Sequence, residues 1–255
     1  MPDDHALAGE LVRAAGDLAA RMLRSGLQVE HKTSISDVVS AADRAAEELI
    51  ADRLRDERPD DGIVGEEGTD ERGSGRTWYV DPVDGTYNFL SGLPEWCSAL
   101  ARAGSDADDV IGAIYQPSSR ELWMGGAGAP TTRNGATLPP LAERALAEVS
   151  LATYLHPTRL ADDTLRMPWL RVLQASATVR MLGSGSLELA AIAAGRLGAS
   201  LQPDTLPWDW LPGAALVRAA GGAAEEVEAG GHRWHVAGNR RAVGEIAALL
   251  SKGAG

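Results

Sequence analysis

Cysteine is nearly absent from this chain: Cys97 is the only one among its 255 residues. An intrachain disulfide is therefore excluded, which favours a reducing, cytoplasmic location. No apolar run suggests a membrane span, and the acidic start Met1-Pro2-Asp3-Asp4 lacks the basic and apolar regions of a secretory peptide. We expect a cytoplasmic protein with no membrane as partner.

Basic residues are too few to balance the acidic ones, and the formal net charge is -12. This charge argues against nucleic acid or an anionic membrane as the main partner. An anionic substrate would need a local cation, which divalent metal ions held by carboxylates would supply. The 44% hydrophobic content allows one compact unit with a sizeable core.

Residues 78–89, WYVDPVDGTYNF, combine carboxylates with the backbone features of an anion site. The aromatic and β-branched start predicts a strand that ends at Asp81-Pro82, because proline cannot donate to a ladder. Asp81 and Asp84 would lie just past that end. Gly85 would let a ligand approach the backbone, and Thr86 could open a helix with free N–H groups. Carboxylates beside anion-binding amides indicate a site where a metal ion bridges the protein and a phosphate.

Two other interpretations of residues 81–86 stay open at this point. Asp-Pro-x-Asp-Gly is also typical of a plain surface turn. Aspartate-nucleophile phosphatases carry Asp-x-Asp-Gly-Thr after their first strand, but in this chain the spacing between Asp81 and Asp84 is one residue longer.

The remaining pattern alternates helical and strand-like segments. Apolar periodicity predicts amphipathic helices at 4–25, from about 43 to 54 and at 242–250. The runs 96–101, 110–115 and 121–124 predict consecutive strands of an antiparallel sheet. Residues 141–176 alternate strand-like and polar stretches and indicate no chemistry. Pro139-Pro140 is the best candidate for a boundary between two lobes.

Further acidic and glycine-rich blocks lie near predicted element ends. Glu66 and Glu67 follow a short strand, and only one of them can readily face a shared site, because successive strand residues face opposite ways. Gly183-Ser184-Gly185 precedes a helical pattern. Asp209 follows Trp208 at the start of another, where a carboxylate can cap the helix and bind a metal at once.

Together these blocks resemble the signature of the inositol monophosphatase family, which are metal-dependent phosphomonoesterases. Asp-Pro-x-Asp-Gly-Thr-x-Asn-Phe stands at 81–89, Gly-Glu-Glu at 65–67, and Trp-Asp with a later Ala-Gly-Gly at 208–222. Lys32, Asp37 and Asp43 match the family's spacing of one lysine and two aspartates. The resemblance covers nearly the whole chain, and it departs at Leu211 and Pro212, where small residues are usual.

The resemblance implies an α/β fold, a layered αβαβα sandwich in two lobes, commonly assembled as a homodimer. Residues 1–140 would form the N-terminal lobe with the metal-binding loops. Residues 141–255 would form the C-terminal lobe, which contributes Asp209 and the substrate pocket. The implied cofactor is Mg²⁺, with Mn²⁺ as a possible substitute and two or three ions per site, since the donors are all acidic oxygens.

The resemblance also implies a role for each matched residue. Metal ligands would be Glu66, Asp81, the Val83 carbonyl, Asp84 and Asp209. Catalysis would involve Glu66 and a water oriented by the Thr86 hydroxyl with Asp43 behind it. Substrate contacts would come from Asp84, Gly85, Thr86, Gly183, Ser184, Gly185, Gln202 and Asp209. Lys32, Asp37 and Glu67 would contact these groups and support them without binding the metal or the substrate themselves.

The expected substrate is a small phosphorylated metabolite, most simply inositol 1-phosphate. Histidinol phosphate, a sugar phosphate and a nucleotide phosphate stay open, and so does a regulatory protein without turnover. Family members that cleave inositol phosphate usually carry glutamate where this chain has Gln202. Gln202→Glu is therefore expected to raise kcat/KM for inositol phosphate. Trp96 resembles an aromatic of histidinol-phosphate phosphatases, or it belongs to the core.

Overall fold

The computed structural model describes residues 3–25, 29–31, 38–106 and 109–252, without the side chains of 29–31 and 38–40. Lys32 and Asp37 of the predicted site lie outside the described residues. The helices are α1 Asp4–Arg24, α2 Ala41–Glu57, α3 Thr86–Leu90, α4 Asp163–Ala175, α5 Gly185–Ala193, α6 Pro207–Ala219 and α7 Arg240–Ser251, with single 3₁₀ turns at Leu146–Glu148 and Pro157–Arg159.

The strands form a two-stranded ribbon and two larger sheets. They are β1 Val29–His31, β2 Val38–Ser40, β3 Gly62–Gly65, β4 Asp70–Glu71, β5 Thr77–Asp84, β6 Cys97–Ala103, β7 Val110–Gln116, β8 Glu121–Gly126, β9 Ala129–Arg133, β10 Ala136–Thr137, β11 Ser150–Thr153, β12 Thr178–Arg180, β13 Ala199–Pro203, β14 Ala223–Ala229 and β15 His232–Gly238. The eight-stranded sheet has the order β10-β9-β8-β7-β6-β5-β3-β4 and is antiparallel except between β3 and β5. The five-stranded sheet has the order β12-β11-β13-β15-β14.

The two sheets and three helix pairs stack in five layers. Helices α1 and α2 cover one face of the eight-stranded sheet, where Leu11 and Ile50 pack with Trp78. Helices α5 and α6 lie between the two sheets, and a single apolar cluster joins them to both. Helices α4 and α7 cover the outer face of the five-stranded sheet, with Trp169 and Ile246 in the same core. The predicted αβαβα sandwich is confirmed.

Most predicted elements are confirmed within a few residues, including the antiparallel meander β6-β7-β8. Two predictions are wrong. Residues 163–175 form α4, although this region's pattern suggested alternating strand-like and polar stretches. Strand β5 does not end at Asp81-Pro82 but continues to Asp84 through a bulge, where the pairing with β6 shifts. The bulge takes Pro82 out of the regular ladder, so its missing N–H costs no hydrogen bond there.

Each large sheet is built from one half of the chain, residues 62–137 and 150–238 respectively. The division into lobes at residue 140 stays a proposal, because α5 and α6 pack against both sheets. Among the described residues, no helix is both long and apolar enough to cross a membrane.

Candidate functional site

Three carboxylates converge between the two sheets. Asp81 and Asp84 stand on the bulge of β5, and Asp209 lies in the first turn of α6. Each offers one oxygen, and the three oxygens lie within 4.8 Å of one another. Residues from two distant blocks of the sequence therefore form one acidic cluster.

Asp81 is the most isolated member of this cluster. It is 1% exposed, and neither carboxylate oxygen accepts a hydrogen bond from any N–H or O–H donor in the described part of the chain. Burial, and then the negative charges of Glu66, Asp84 and Asp209, hold the pKa of Asp81 well above its ordinary range. A buried carboxylate without donors is costly unless a cation or a proton compensates it.

Asp84 is held in place by the glycine-rich segment before α5. Its Oδ2 accepts the Ser184 hydroxyl at 2.9 Å and the Ser186 backbone N–H at 2.6 Å. These bonds oppose the rise that burial causes in the pKa of Asp84. Ser184 is itself buried and caps α5 through Leu187 N–H, so its hydroxyl serves the carboxylate and the helix.

Glu66 reaches the cluster from the turn after β3. The residue is solvent-exposed, yet its carboxylate is crowded by protein atoms and by the charges of Asp43 and Asp84, which raise its pKa. Burial of the carboxylate is the larger cause. Glu66 therefore stands at the open rim of the cluster, while Asp81 stands at its floor.

A buried glutamate of α2 supports the Glu66 turn. Glu47 is 3% exposed, and its two oxygens accept the N–H groups of Glu67 at 2.7 Å and Thr69 at 3.0 Å. A Cβ atom on Gly65 would overlap the Glu47 carboxylate, which explains glycine at that position. Sequence reasoning did not single out Glu47. Its position on the apolar stripe with Ile50 and Leu54 was the available signal.

The loop after β5 brings Gly85 and Thr86 to the opening of α3. Gly85 has φ of 94°, and a side chain there would approach Glu95 O and Gly183 O, so only glycine fits without strain. The Thr86 hydroxyl donates to Val83 O at 3.0 Å. That carbonyl and hydroxyl were predicted to bind a metal and a water, and their mutual contact leaves lone pairs on both oxygens for such ligands.

Asp43 is buried at the start of α2, and its negative charge acts on both Glu66 and Asp81. It therefore lies close to both of these carboxylates. The catalytic roles predicted for Asp43 and Thr86 stay predictions.

Asn88 ties the two halves of the site together. Its side-chain amide donates to Leu182 O and Glu95 O, each at 2.7 Å. Gly183 has φ of 84°, and a Cβ there would press on the Asn88 amide. The segment containing Gly183 and Gly185 thus lies directly against the β5 loop.

A small cavity adjoins Asp209 on the side of the five-stranded sheet. It is lined by Gly185, Glu188, Gln202, Thr205 and His235, among others. His235 Nδ1 accepts the Thr205 N–H at 3.2 Å, and its ring packs edge-on against Trp210 at 4.9 Å. Burial lowers the pKa of His235. His235 is therefore a neutral histidine that packs in the core beside Trp210.

The departures from the family pattern do not reach this cavity. Pro212 is buried, and its backbone carbonyl packs against Gly112 of β7. Leu211 packs with the clusters next to the eight-stranded sheet. Trp96 is also a core residue, since it lies edge-on to Phe89 at 4.8 Å in a buried cluster.

The donor set fits a hard divalent cation. All donors of the cluster are carboxylate oxygens, which suit Mg²⁺ or Mn²⁺ and not zinc. The pKa values of Asp81 and Asp209 are raised by burial and by neighbouring carboxylates, so the cluster favours bound positive charge. Asp81 lacks any other compensating partner within the described residues.

Comparisons with known proteins give matches over most of the chain. A family model described as the inositol monophosphatase family matches residues 4–252. The inositol-1-monophosphatase of Rhizobium meliloti is 36% identical over 202 residues, covering 77% of this chain and 74% of that protein. The Nus factor SuhB of Escherichia coli is 31% identical over 237 residues, covering 91% and 88%. The crystal structure of the extragenic suppressor protein suhB from Bartonella henselae has a TM-score of 0.86 at 30% identity, covering 97% of this chain and 98% of that one.

Proposed function

The chain belongs to the inositol monophosphatase family, and on that premise we propose that it is a divalent-metal-dependent phosphomonoesterase. Its proposed substrate is a small phosphorylated metabolite, most simply inositol 1-phosphate, which yields inositol and phosphate. The observation that carries this proposal is the buried carboxylate of Asp81, one of three converging aspartates, which accepts no hydrogen bond from a donor in the described part of the chain.

The proposed cofactor is Mg²⁺, with Mn²⁺ as a substitute and two or three ions per site. Glu66, Asp81, Asp84, Asp209 and the Val83 carbonyl would hold these ions. When bound, such ions lower the pKa of water and neutralise charge that develops on a phosphoryl group. Among the described residues, no basic side chain pairs with any of these four acidic side chains, which supports this assignment.

The chain's own residues would position the reactants. Amides of Gly85 and Thr86 at the start of α3 would hold phosphate oxygens. The Thr86 hydroxyl and Asp43 would orient the attacking water and hold its proton. Gly183, Ser184 and Gly185 would shape the wall next to Asp84, and Gln202 would contact the leaving group. Glu67 would support the Glu66 turn.

Histidinol phosphate is a weaker candidate substrate than the sequence suggested. Its support was the resemblance of Trp96 to an aromatic of histidinol-phosphate phosphatases, and that side chain is a core residue that is 4% exposed. Sugar phosphates and nucleotide phosphates stay alternatives. The cytoplasmic location stays a proposal, and so does the homodimer, which is supported by exposed apolar side chains such as Tyr87, Leu93 and Met181.

A regulatory role is the second candidate, because a relative of 31% identity is named a Nus factor. A protein retired from catalysis has no need of the acidic cluster together with Asp43 and Thr86. The test is phosphate release from inositol, histidinol, sugar and nucleotide monophosphates with Mg²⁺, with Mn²⁺ and with a chelator. Metal-dependent release supports the enzyme. Full turnover in chelator overturns the mechanism, and no turnover on any substrate favours the regulatory role.

A further inference from the structure

One buried carboxylate next to the site is not part of the acidic cluster. Glu188 lies in the first turn of α5 and is 1% exposed. Its Oε1 accepts the Leu182 N–H at 2.7 Å, and the Gly183 N–H also hydrogen-bonds to the carboxylate. In the described part of the chain, Glu188 forms no ion pair with a basic side chain. Glu188 therefore fixes the backbone of the segment that holds Asp84.

The second oxygen of this carboxylate faces Gln202. The Gln202 Nε2 donates to Glu188 Oε2 at 3.5 Å, and both side chains line the small cavity beside Asp209. The amide N–H of Gln202 thus faces Glu188, which is the orientation that the carboxylate requires when it is ionised and can only accept hydrogen bonds. The Oε1 of Gln202 is then the atom left to accept a hydrogen bond from another group.

We propose that Glu188 is a positioning residue that makes Gln202 a hydrogen-bond acceptor for the leaving group, so that the site prefers phosphate esters of polyols. This inference rests on the proposed phosphomonoesterase function. It identifies the substrate class by chemistry: a leaving group with hydroxyl donors matches an acceptor, whereas a leaving group without hydroxyls gains nothing from it.

The Glu188 contact changes the expectation for Gln202→Glu. The sequence suggested that a carboxylate at this position would improve inositol-phosphate hydrolysis. In the structure, that carboxylate would stand against the buried Glu188 carboxylate, and two like charges in contact are costly. The single substitution is therefore expected to lower both the stability and kcat/KM.

Exchanging the two residues separates the roles of charge and geometry. In Glu188→Gln, the new Oε1 can still accept from Leu182, but the new Nε2 donates toward Gln202 and turns its amide around. The pocket then presents a donor. In the double variant Glu188→Gln/Gln202→Glu, the new amide donates to the new carboxylate, whose other oxygen again accepts from the leaving group.

The experiment measures kcat and KM for inositol 1-phosphate and for para-nitrophenyl phosphate, which has no hydroxyls. Assays run at about pH 9, above the pKa of about 8 to which burial raises Glu188, so that this carboxylate is ionised. Both single variants should lose about tenfold in kcat/KM for inositol phosphate, the value of one hydrogen bond. For Glu188→Gln, kcat/KM for para-nitrophenyl phosphate should fall less than that for inositol phosphate, so the ratio of the two values should drop, and the double variant should recover the ratio.

Melting temperatures in chelator give a readout that does not depend on turnover. At the same pH of about 9, Gln202→Glu should melt below the wild type, and the double variant should regain most of that loss. Glu245→Gln is the matched control, because Glu245 also accepts a backbone N–H, from Leu146 at 2.8 Å, but lies on α7 away from the site. It should leave the substrate preference unchanged.

The outcomes distinguish this inference from the proposed function. If the wild type hydrolyses neither ester with metal, the proposed function fails. If the wild type is active but Gln202→Glu improves inositol-phosphate turnover and melts like the wild type, the Glu188 inference is overturned. Equal losses on both esters with no recovery in the double variant also overturn it. If Glu188→Gln does not fold, Gln202→Glu and the double variant still decide.

Discussion

Gly65→Ala is expected to disturb the site without touching any residue of the acidic cluster. A Cβ at this position would overlap the Glu47 carboxylate, which is buried under the Glu66 turn. Glu47 must then move and give up its bonds to the N–H groups of Glu67 and Thr69. The turn that carries Glu66 loses its anchor.

The cost follows from those two bonds. Hydrogen bonds to a charged group contribute about 1.5 kcal/mol each at the low end of their range, so the variant should lose about 3 kcal/mol. For a chain of this size that corresponds to a fall in Tm of roughly 6–12 °C. Affinity for Mn²⁺ should also weaken, because Glu66 is displaced from the cluster rim.

Thermal melts and calorimetric titration with Mn²⁺ measure both effects. Gly75→Ala is the matched control, since it is the same change at an exposed glycine with nothing within 4 Å of the new Cβ. Glu47→Asp in the Gly65→Ala background shortens the carboxylate and should restore part of the loss. A Gly65→Ala protein that melts like the control and binds Mn²⁺ normally would refute the reasoning.

Three further predictions concern the cluster and its surroundings. Asp84→Asn removes a negative charge from the cluster but keeps an oxygen that can accept the Ser184 hydroxyl and the Ser186 N–H. It should abolish phosphatase activity and, because repulsion between the carboxylates falls, raise the Tm of the metal-free protein. An unchanged or lower Tm contradicts this prediction. Thr86→Ala should lower kcat by about 10²–10⁴-fold and affect Mn²⁺ affinity far less, whereas equal losses count against a water-orienting role. Burial raises the folded-state pKa of Glu188 from 4.5 to about 8, so the native state binds more protons than the unfolded state in that window. Metal-free stability should therefore fall as pH rises from 4.5 to about 8, and Glu188→Gln should flatten the fall in chelator melts.

The sequence alone was enough to predict the fold class and to single out the acidic residues of the candidate site. Asp81, Asp84 and Asp209 could be identified from the sequence because each lies in a short motif with glycine, proline or a helix start. In such motifs the backbone geometry and the ligand type restrict which residues can occur. Apolar periodicities predicted individual helices and strands, and the five layers were implied by the resemblance to the family. Local patterns of this kind can be recognised without knowledge of long-range contacts.

Only the tertiary structure decided which groups support those residues. The roles of Glu47 and Glu188 depend on backbone N–H groups that lie far away or around a turn, and no spacing rule reports where such donors point. Strand β5 continues past Pro82 because its neighbour β6 tolerates a bulge, which a single strand's sequence does not reveal. The meaning of Gln202 changed most. The sequence suggested only that Gln202 replaces a glutamate, but in the structure its amide N–H donates to Glu188, which leaves its Oε1 to accept, and that orientation comes from packing between α5 and β13.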